Sequence, residues 1–569
     1  MRSEGDDLDF AHDRIREITY AQTLPAVRKR LHAGVGATQF SRAEVWDKAV
    51  DYLRRAGAQA LARSAYREAE ACFEQALAGL AHLGDDEALL AQAIDVRLEV
   101  RAAILPFGKL KRLETLMDEA QAAAERLGDA RRLGQVLCSQ TYRHWLGGEY
   151  TRAAESGHRA LALADDIDDV ALRNEAALRV AHVRHTLGDF RGARALLEPI
   201  VVSSVKPHVW GTTSVFGQIL PRYWLSMALT ELGDLTEAER LTREALRFAV
   251  QARHAYSAIP ASMGVATVLL RRGDAAGAIP LLEHALAFGD REDYQIWREG
   301  LVAVLVCAYA HVGRSADVTR LIEEADAIGT AAGATRRRSR SLVAFAEASL
   351  ACEAWSGAAA FARATIELAE PRGERGTVAR AQRVLAEVAA RSAKGAAGAE
   401  ALYTDAIATT RELGARPLEA ECRLGRAKLY QALDKRAGAR RRRCRDRAVP
   451  GDGAARARSR APRDGARLER AGQRRFSKIS VCSQLPNGPS TSESTPRATP
   501  VPRSPACVSA ASRIHGARGM RQKTNGLHAR TCGGTGRLAS GPSAGGVRDA
   551  VGGVDAGSVF RNTAVHRAT

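Results

Sequence analysis

Mostly small apolar residues recur along the chain at a nearly fixed interval, usually with a larger residue four positions later and another small one seven positions later. Offsets of four and seven lie on one face of a helix. Neighbouring members of this series, which we call anchors, are 40 to 45 residues apart: Ala69, Leu113, Ala153, Ala193, Ala238, Ala278, Val318, Ala358, Ala399 and Ala439. A fixed period in this range predicts a solenoid of repeated helical units.

A second pattern predicts how each unit turns. Glycine stands five positions before five consecutive anchors, at Gly148, Gly188, Gly233, Gly273 and Gly313. Because glycine accepts the left-handed conformation, it ends one helix and lets the chain turn into the next. Small residues also recur twelve positions before the anchor, at Thr141, Ala181, Ser226, Ala266, Ala346 and Ala427. Small side chains at matched points let two helices approach closely, so each unit is predicted to be a packed antiparallel helix pair.

This arrangement resembles the tetratricopeptide repeat, whose consensus places small residues at matched points on two helices around a turn. The resemblance covers about residues 45–440. It implies an all-α, right-handed helical-hairpin solenoid whose first helices line a concave face. The period exceeds the usual 34 residues by about six, which predicts longer helices or longer links. The alternative is a non-repetitive helical protein with an alanine-rich composition.

Composition and local hydropathy agree with a helical protein away from membranes. Aromatic residues make up 5% of the 569 residues, and abundant Ala, Leu and Arg favour helices over sheets. The chain has no run of eighteen apolar residues, which a spanning helix would need. Its acidic beginning, with Glu4, Asp6, Asp7 and Asp9, does not resemble a signal peptide. We therefore expect no membrane contact and a cytoplasmic location.

Positive charge is concentrated at the end of the chain. The whole chain has a formal net charge of +19, and residues 436–569 hold 27 Lys plus Arg against 7 Asp plus Glu. Residues 441–569 also lack helical periodicity, and we predict that they form a disordered basic tail. One explanation is a reading-frame change near codon 440 of a GC-rich gene. The other is a native polybasic arm, through which alone the chain would bind nucleic acid.

The beginning of the pattern predicts a different segment. Residues 8–33 are predicted to form an amphipathic helical segment and then a basic helix, with Pro25 between them. They resemble the end of the helical or winged-helix module that follows the nucleotide-binding core of large signalling ATPases. The matching residues are Phe10, His12, Asp13, Arg16, Glu17, Tyr20, Leu31 and His32. Residues 1–40 are therefore interpreted as a remnant of such a module.

A further resemblance concerns the repeats themselves. Residues 43–77, 155–164 and 273–287 are similar to repeats of bacterial proteins that join an adenylate or guanylate cyclase domain, an AAA-type ATPase domain and a tetratricopeptide array. This resemblance implies that residues 41–440, about ten units, are the sensor part of a signalling protein. In the tenth unit we predict a turn at Asp434 and a second helix through Ala439.

The catalytic parts of those relatives have no counterpart in this sequence. It contains no GxxxxGK[ST] phosphate-binding loop, and its nine cysteines form no CxxC pair. The acidic cluster Asp165, Asp166, Asp168 and Asp169 lacks the spacing of a calcium-binding loop, so a solvated turn is the preferred interpretation. We expect no enzymatic activity, no cofactor and no metal site.

Four residues form the candidate partner-binding groove. His182 and His185 are three positions apart, and Tyr142 and Trp145 stand at the equivalent positions of the preceding unit. Residues at i and i+3 share one face of a helix, which on a first helix would be the concave face. The alternative is that the four side chains pack between units. The predicted function is an interaction or regulatory module that binds a protein or peptide on its concave face.

Overall fold

The computed structural model describes residues 2–4, 7–9, 45–84, 86–203, 214–331, 338–391 and 395–447. Nearly all of these residues are helical, and a short 3₁₀ helix, Leu105–Phe107, follows α3. The α-helices within these ranges are α1 (Trp46–Ala62), α2 (Tyr66–Leu80), α3 (Glu87–Ile104), α4 (Leu110–Leu127), α5 (Ala130–Gly147), α6 (Tyr150–Asp166), α7 (Val170–Leu187), α8 (Phe190–Ser203), α9 (Ser214–Leu232), α10 (Leu235–Gln251), α11 (Ala255–Arg271), α12 (Ala275–Arg291), α13 (Arg298–His311), α14 (Ser315–Ala331), α15 (Arg338–Ala351), α16 (Trp355–Ala369), α17 (Arg375–Ala389), α18 (Ala396–Leu413) and α19 (Arg416–Arg447).

The helices pair in chain order, and the anchors mark the second helix of each pair. The first nine anchors lie one in each even-numbered helix from α2 to α18, and none is more than 3% exposed. The five glycines predicted to turn the chain have φ angles between 78° and 95°. The chain is therefore an all-α solenoid of tetratricopeptide-like hairpins, which confirms the predicted fold class. We number the pairs as units 1 to 9, and α19 begins unit 10.

The tenth unit differs from its prediction. The turn expected at Asp434 is absent, and α19 runs without interruption for 32 residues to Arg447. Asp434 stands where six other units have their turn glycine, and the Arg, Lys and Ala residues around it favour helix. Glycine is not required at this position, since Ser64 and Glu353 turn units 1 and 8 with φ angles of 63° and 61°. The predicted tail beyond Arg447, and nucleic-acid binding through it, lie outside the described residues.

The beginning of the chain also departs from the prediction. Strands β1 (Arg2–Glu4) and β2 (Asp7–Asp9) pair antiparallel, so Leu8 and Asp9 lie in a strand and not at the start of a helix. The remainder of the predicted remnant, from residue 10 to residue 40, lies outside the described residues.

The solenoid coils far enough for its successive superhelical turns to contact one another. The backbone N–H of Gln295 donates to the carbonyl of Pro106 at 2.8 Å. Arg416 Nε donates to the carbonyl of Leu232 at 2.7 Å, although these residues are 184 positions apart. The loop between the two helices of one unit thus contacts the segment that joins two units about five repeats later in the chain. We call this row of contacts the seam.

Substitutions at two turn glycines can separate the stability that comes from the seam from the stability that comes from the turn itself. A Cβ atom at Gly188 would lie 3.0 Å from Leu413 Cδ1 across the seam, whereas a Cβ atom at Gly313 would meet nothing within 4 Å. Each alanine substitution costs about 1 kcal/mol because the conformation is left-handed. We expect Gly188→Ala to lower the thermal unfolding midpoint more than Gly313→Ala, because only the former also displaces Leu413. Equal losses would show that the seam adds no stability at this point.

Candidate functional site

The four predicted groove residues come together with a fifth aromatic residue, Trp224. They lie on α5, α7 and α9, the first helices of units 3, 4 and 5. The ring of His182 is 5.9 Å from that of Tyr142, 5.4 Å from that of Trp145 and 4.4 Å from that of Trp224, measured between centroids. The ring of His185 is 5.4 Å from that of Trp224. We call these five residues the aromatic cluster.

The aromatic cluster is buried. Tyr142 and His185 are 8% exposed, Trp145 and His182 are 1% exposed, and the indole N–H of Trp145 donates to Thr186 at 2.8 Å in the next unit. This burial fits packing between units, one of the two interpretations that the sequence left open. Partner binding by the same four side chains stays a prediction, and it would require the units to separate.

Sequence reasoning missed Trp224 because it is out of phase with the repeat. The position of unit 5 that corresponds to His182 is Met227, and Trp224 precedes it by three residues. The spacing from the anchor Ala193 to the anchor Ala238 is 45 residues, the longest in the series. A tryptophan one helical turn from the expected position was the available signal.

Burial controls the charge of His185. Desolvation, reinforced by the nearby Arg340 guanidinium, lowers the pKa of His185 to about 4. The carboxylate of Glu231 acts in the opposite direction, and Arg380 acts in the same direction as Arg340. At neutral pH the cluster is therefore held together by an uncharged imidazole.

Charged residues on the first helices of distant units also meet. Arg380 pairs with Glu231 at 2.6 Å, and Arg271 pairs with Glu421 at 3.1 Å. These partners are 149 and 150 positions apart. Because first helices of non-adjacent units touch one another, they face the inside of the superhelix. The odd-numbered helices therefore form the concave side.

The contacts continue as one network on α9, α11, α15, α17 and α19. Arg383 pairs with Glu347 at 2.7 Å and with Glu421 at 3.4 Å. Burial raises the pKa of Glu347, but the Arg383 and Arg380 guanidinium groups outweigh this effect and hold that pKa at about 2. Side-chain exposures in the network range from 12% to 38%. We call its members the inner charge network: Glu231, Arg271, Glu347, Arg380, Arg383 and Glu421.

A polar cleft of about 460 Å³ opens at the seam between α8, the end of α9 and the link from α18 to α19. Arg191, Arg194, Glu198 and Arg416 line it. Arg194 pairs with Glu198 at 3.1 Å, whereas Arg416 donates to a backbone carbonyl. The cleft thus has more positive than negative side chains. Its volume is within the range of small-ligand sites.

The acidic cluster between units 3 and 4 has local partners. Arg173 pairs with Asp165 at 2.5 Å and with Asp168 at 3.2 Å, and Asp169 accepts a hydrogen bond from the backbone N–H of Leu172 at the start of α7. Among the residues described, no three His, Cys, Asp or Glu side chains are grouped as metal ligands would be. None of the helices in those ranges is both long and apolar enough to cross a membrane.

Comparisons with known proteins find similarity at the level of structure. No family model matches the chain, and no curated protein matches it. A Rap protein complexed with competence and sporulation factor is 14% identical, with a TM-score of 0.39 over 71% of this chain and 99% of that one. A Rap conjugation gene regulator of plasmid pLS20, in complex with a Phr peptide, is 10% identical, with a TM-score of 0.41 over 65% and 94%.

A signal transduction ATPase with numerous domains from Pyrococcus horikoshii, which has a tetratricopeptide repeat sensor, is also similar. It is 15% identical, with a TM-score of 0.39, and the match covers 63% of this chain and 55% of that protein. At these identities the likeness concerns the fold alone, which the helix pairs of this chain already define as a tetratricopeptide-like helical repeat.

The lowered pKa of His185 predicts a pH-dependent stability. An unfolded histidine has a pKa near 6.5, so the unfolded chain binds more protons than the folded chain between pH 6.5 and pH 4. The contribution of His185 to the free energy of unfolding is complete above pH 6.5 and is lost as the pH falls towards 4. From pH 7 to pH 5 it lowers the free energy of unfolding by about 2 kcal/mol.

We expect His185→Phe, which keeps a ring against Trp224, to remove this part of the pH dependence. Urea unfolding of the variant and of the unmodified chain at pH 7 and pH 5 measures it. His158→Phe changes an exposed histidine of α6 and is the matched control. If His185→Phe retains the full pH dependence, the imidazole is not buried as an uncharged group.

Proposed function

We propose that the chain is a regulatory interaction module that binds a protein or peptide on its concave face and has no catalytic activity of its own. The observation that carries this proposal is the inner charge network. It places charged side chains from five first helices on the concave side, where they remain partly exposed. An extended solenoid surface of this kind suits an elongated partner.

The energetics of the network favour recognition over structure alone. Removing two charges from water costs free energy that their mutual attraction often fails to recover, and apolar residues of similar size stabilise a core at least as well. Charged groups that line a concave surface instead provide hydrogen-bond donors and acceptors for a polar partner. The partner that fits best is a peptide with both acidic and basic side chains, because Arg271 and Glu421 present both signs at one place.

We also propose that this module is the sensor part of a larger signalling ATPase or nucleotide cyclase. Support comes from the resemblance of residues 10–32 to a segment that follows an ATPase core and from the resemblance of residues 43–77 to repeats of such proteins. Sequencing the gene upstream of codon 1 and in all frames around codon 440 tests this context. An in-frame phosphate-binding loop or cyclase domain would support it, and an intact frame with neither would contradict it.

Peptides selected from a random phage-displayed library on the whole chain test the concave-face proposal. We expect Arg271→Gln and Glu421→Gln each to weaken the binding of selected peptides by about tenfold, because each removes a charge from the concave side. Glu324→Gln, in an exposed ion pair with Arg320 on α14, is the control and should leave affinity unchanged. Peptides that bind all of these variants equally would place the binding surface elsewhere.

A further inference from the structure

Helix α19 is a first helix without a second helix packed on it among the described residues. Leu424 stands fifteen positions before the tenth anchor and is 41% exposed. In six other units the residue at the same position is at most 6% exposed: Cys138, Leu178, Tyr223, Met263, Val343 and Val384. In units 1, 2 and 7 it is half-buried: Arg54, Leu98 and Ala303. Within the described residues, the site that receives a second helix elsewhere in the solenoid is therefore open in unit 10.

The small residue at the helix crossing leads to the same conclusion. Ala427 is exposed, whereas the small residues twelve positions before other anchors are fully buried: Thr141, Ala181, Ser226, Ala266 and Ala346. Ala420, Leu424, Ala427 and Gln431 are four, three and four positions apart, so they form one stripe along the helix. We call this stripe the terminal face.

Charge identifies what the terminal face lacks. In unit 2, Arg97 of the first helix pairs with Glu119 of the second helix at 3.0 Å, and in unit 5 Arg222 pairs with Glu244 at 3.4 Å. Each arginine precedes its anchor by sixteen positions, and each glutamate follows the anchor by six. Arg423 has the same place in unit 10, where its side chain is 53% exposed and pairs with Glu419 of the same helix at 2.6 Å, with no carboxylate from a second helix among the described residues.

Among the described residues the chain does not supply this glutamate from a second helix. Six positions after the tenth anchor stands Arg445, which has the opposite charge and belongs to α19 itself. A second copy of the chain is also a poor occupant. Two α19 helices crossing antiparallel at Ala427 would place Arg426 of one copy opposite Lys428 of the other.

We propose that the terminal face docks an amphipathic helix of a partner protein. The partner helix packs a small residue over Ala427 and apolar residues against Leu424, and it extends a carboxylate to Arg423. The contact repeats the packing of first and second helices within units 1 to 9, so its chemistry follows from an interface that the solenoid already contains. This surface is distinct from the concave face.

The sequence of α10 provides a probe for this proposal. In unit 5 this second helix carries Thr242, which is buried, and Glu244, which pairs with Arg222. We expect a labelled peptide of the α10 sequence, Leu235–Gln251, to bind the full chain in a fluorescence anisotropy titration. The Leu424→Asp substitution should weaken binding by about tenfold or more, because it places a charge against the apolar side of the peptide. The Arg423→Gln substitution should weaken it about threefold, as for an exposed ion pair.

Two matched controls separate charge from general surface effects. Val312→Asp changes another exposed apolar residue, which is remote in sequence, and should leave the affinity unchanged. A peptide with Glu244→Gln should bind the unmodified chain about threefold more weakly and should bind the Arg423→Gln chain with no further loss.

Three results would overturn the proposal. One is no binding of the α10 peptide, and another is equal binding to the unmodified and Leu424→Asp chains. The third is concentration-dependent self-association that Leu424→Asp abolishes while the peptide does not bind, since a second copy would then be the occupant. Leu424→Asp should leave peptides selected for the concave face bound, so failure of this proposal and failure of the proposed function are distinguishable.

Discussion

The close approach of two helices at a small residue is the constraint on which the solenoid depends. At Gly57 of α1 a Cβ atom would lie 2.5 Å from Phe73 Cε1 of α2, and at Gly264 of α11 it would lie 2.7 Å from Thr242 Cγ2 of the preceding helix. Distances this short leave no room for a side chain. The small residues therefore fix how each helix lies on its neighbour, and the repetition of that geometry determines where the chain returns to itself.

The seam contains hydrogen bonds as well as apolar contacts, such as that of Phe107 with Tyr294. Tyr150 at the start of α6 donates to Glu374 before α17 at 3.2 Å, and Ser339 donates to the same carboxylate at 2.7 Å. Burial raises the pKa of Glu374, whereas the hydrogen bonds from Ser339 and Tyr150 act in the opposite direction. Repeat proteins are commonly stabilised by contacts between neighbouring units alone. Here hydrogen bonds between units far apart in sequence add to those contacts.

Features that recur with the period were predictable from the sequence, because each unit repeats the same local requirement. The anchors, the turn glycines and the pairing of helices belong to this group. The contacts of the seam do not recur with the period of the repeat. The contact between Leu232 and Arg416, for example, depends on the geometry of every unit between them. The meeting of His182 with Tyr142 and Trp145 was predicted, but the burial that distinguishes packing from binding depends on Trp224, which is out of phase. At Asp434 the extended phase predicted a turn that α19 does not make, although Ser64 and Glu353 turn other units at the same position without glycine.

The two kinds of contact have different consequences for access to the concave side. The stabilising free energy of apolar packing within units is proportional to the buried area, and this packing holds each hairpin together. Contacts between distant units combine ion pairs and hydrogen bonds, whose attraction is offset by the cost of removing charged groups from water, with apolar contacts such as that of Tyr66 with Tyr256. Arg380, for example, reaches across the inside to Glu231 and retains 12% exposure. Separation of the superhelical turns therefore breaks both kinds of contact. In the proposed function, a partner at the inner charge network competes with its ion pairs and leaves the apolar packing within the hairpins intact.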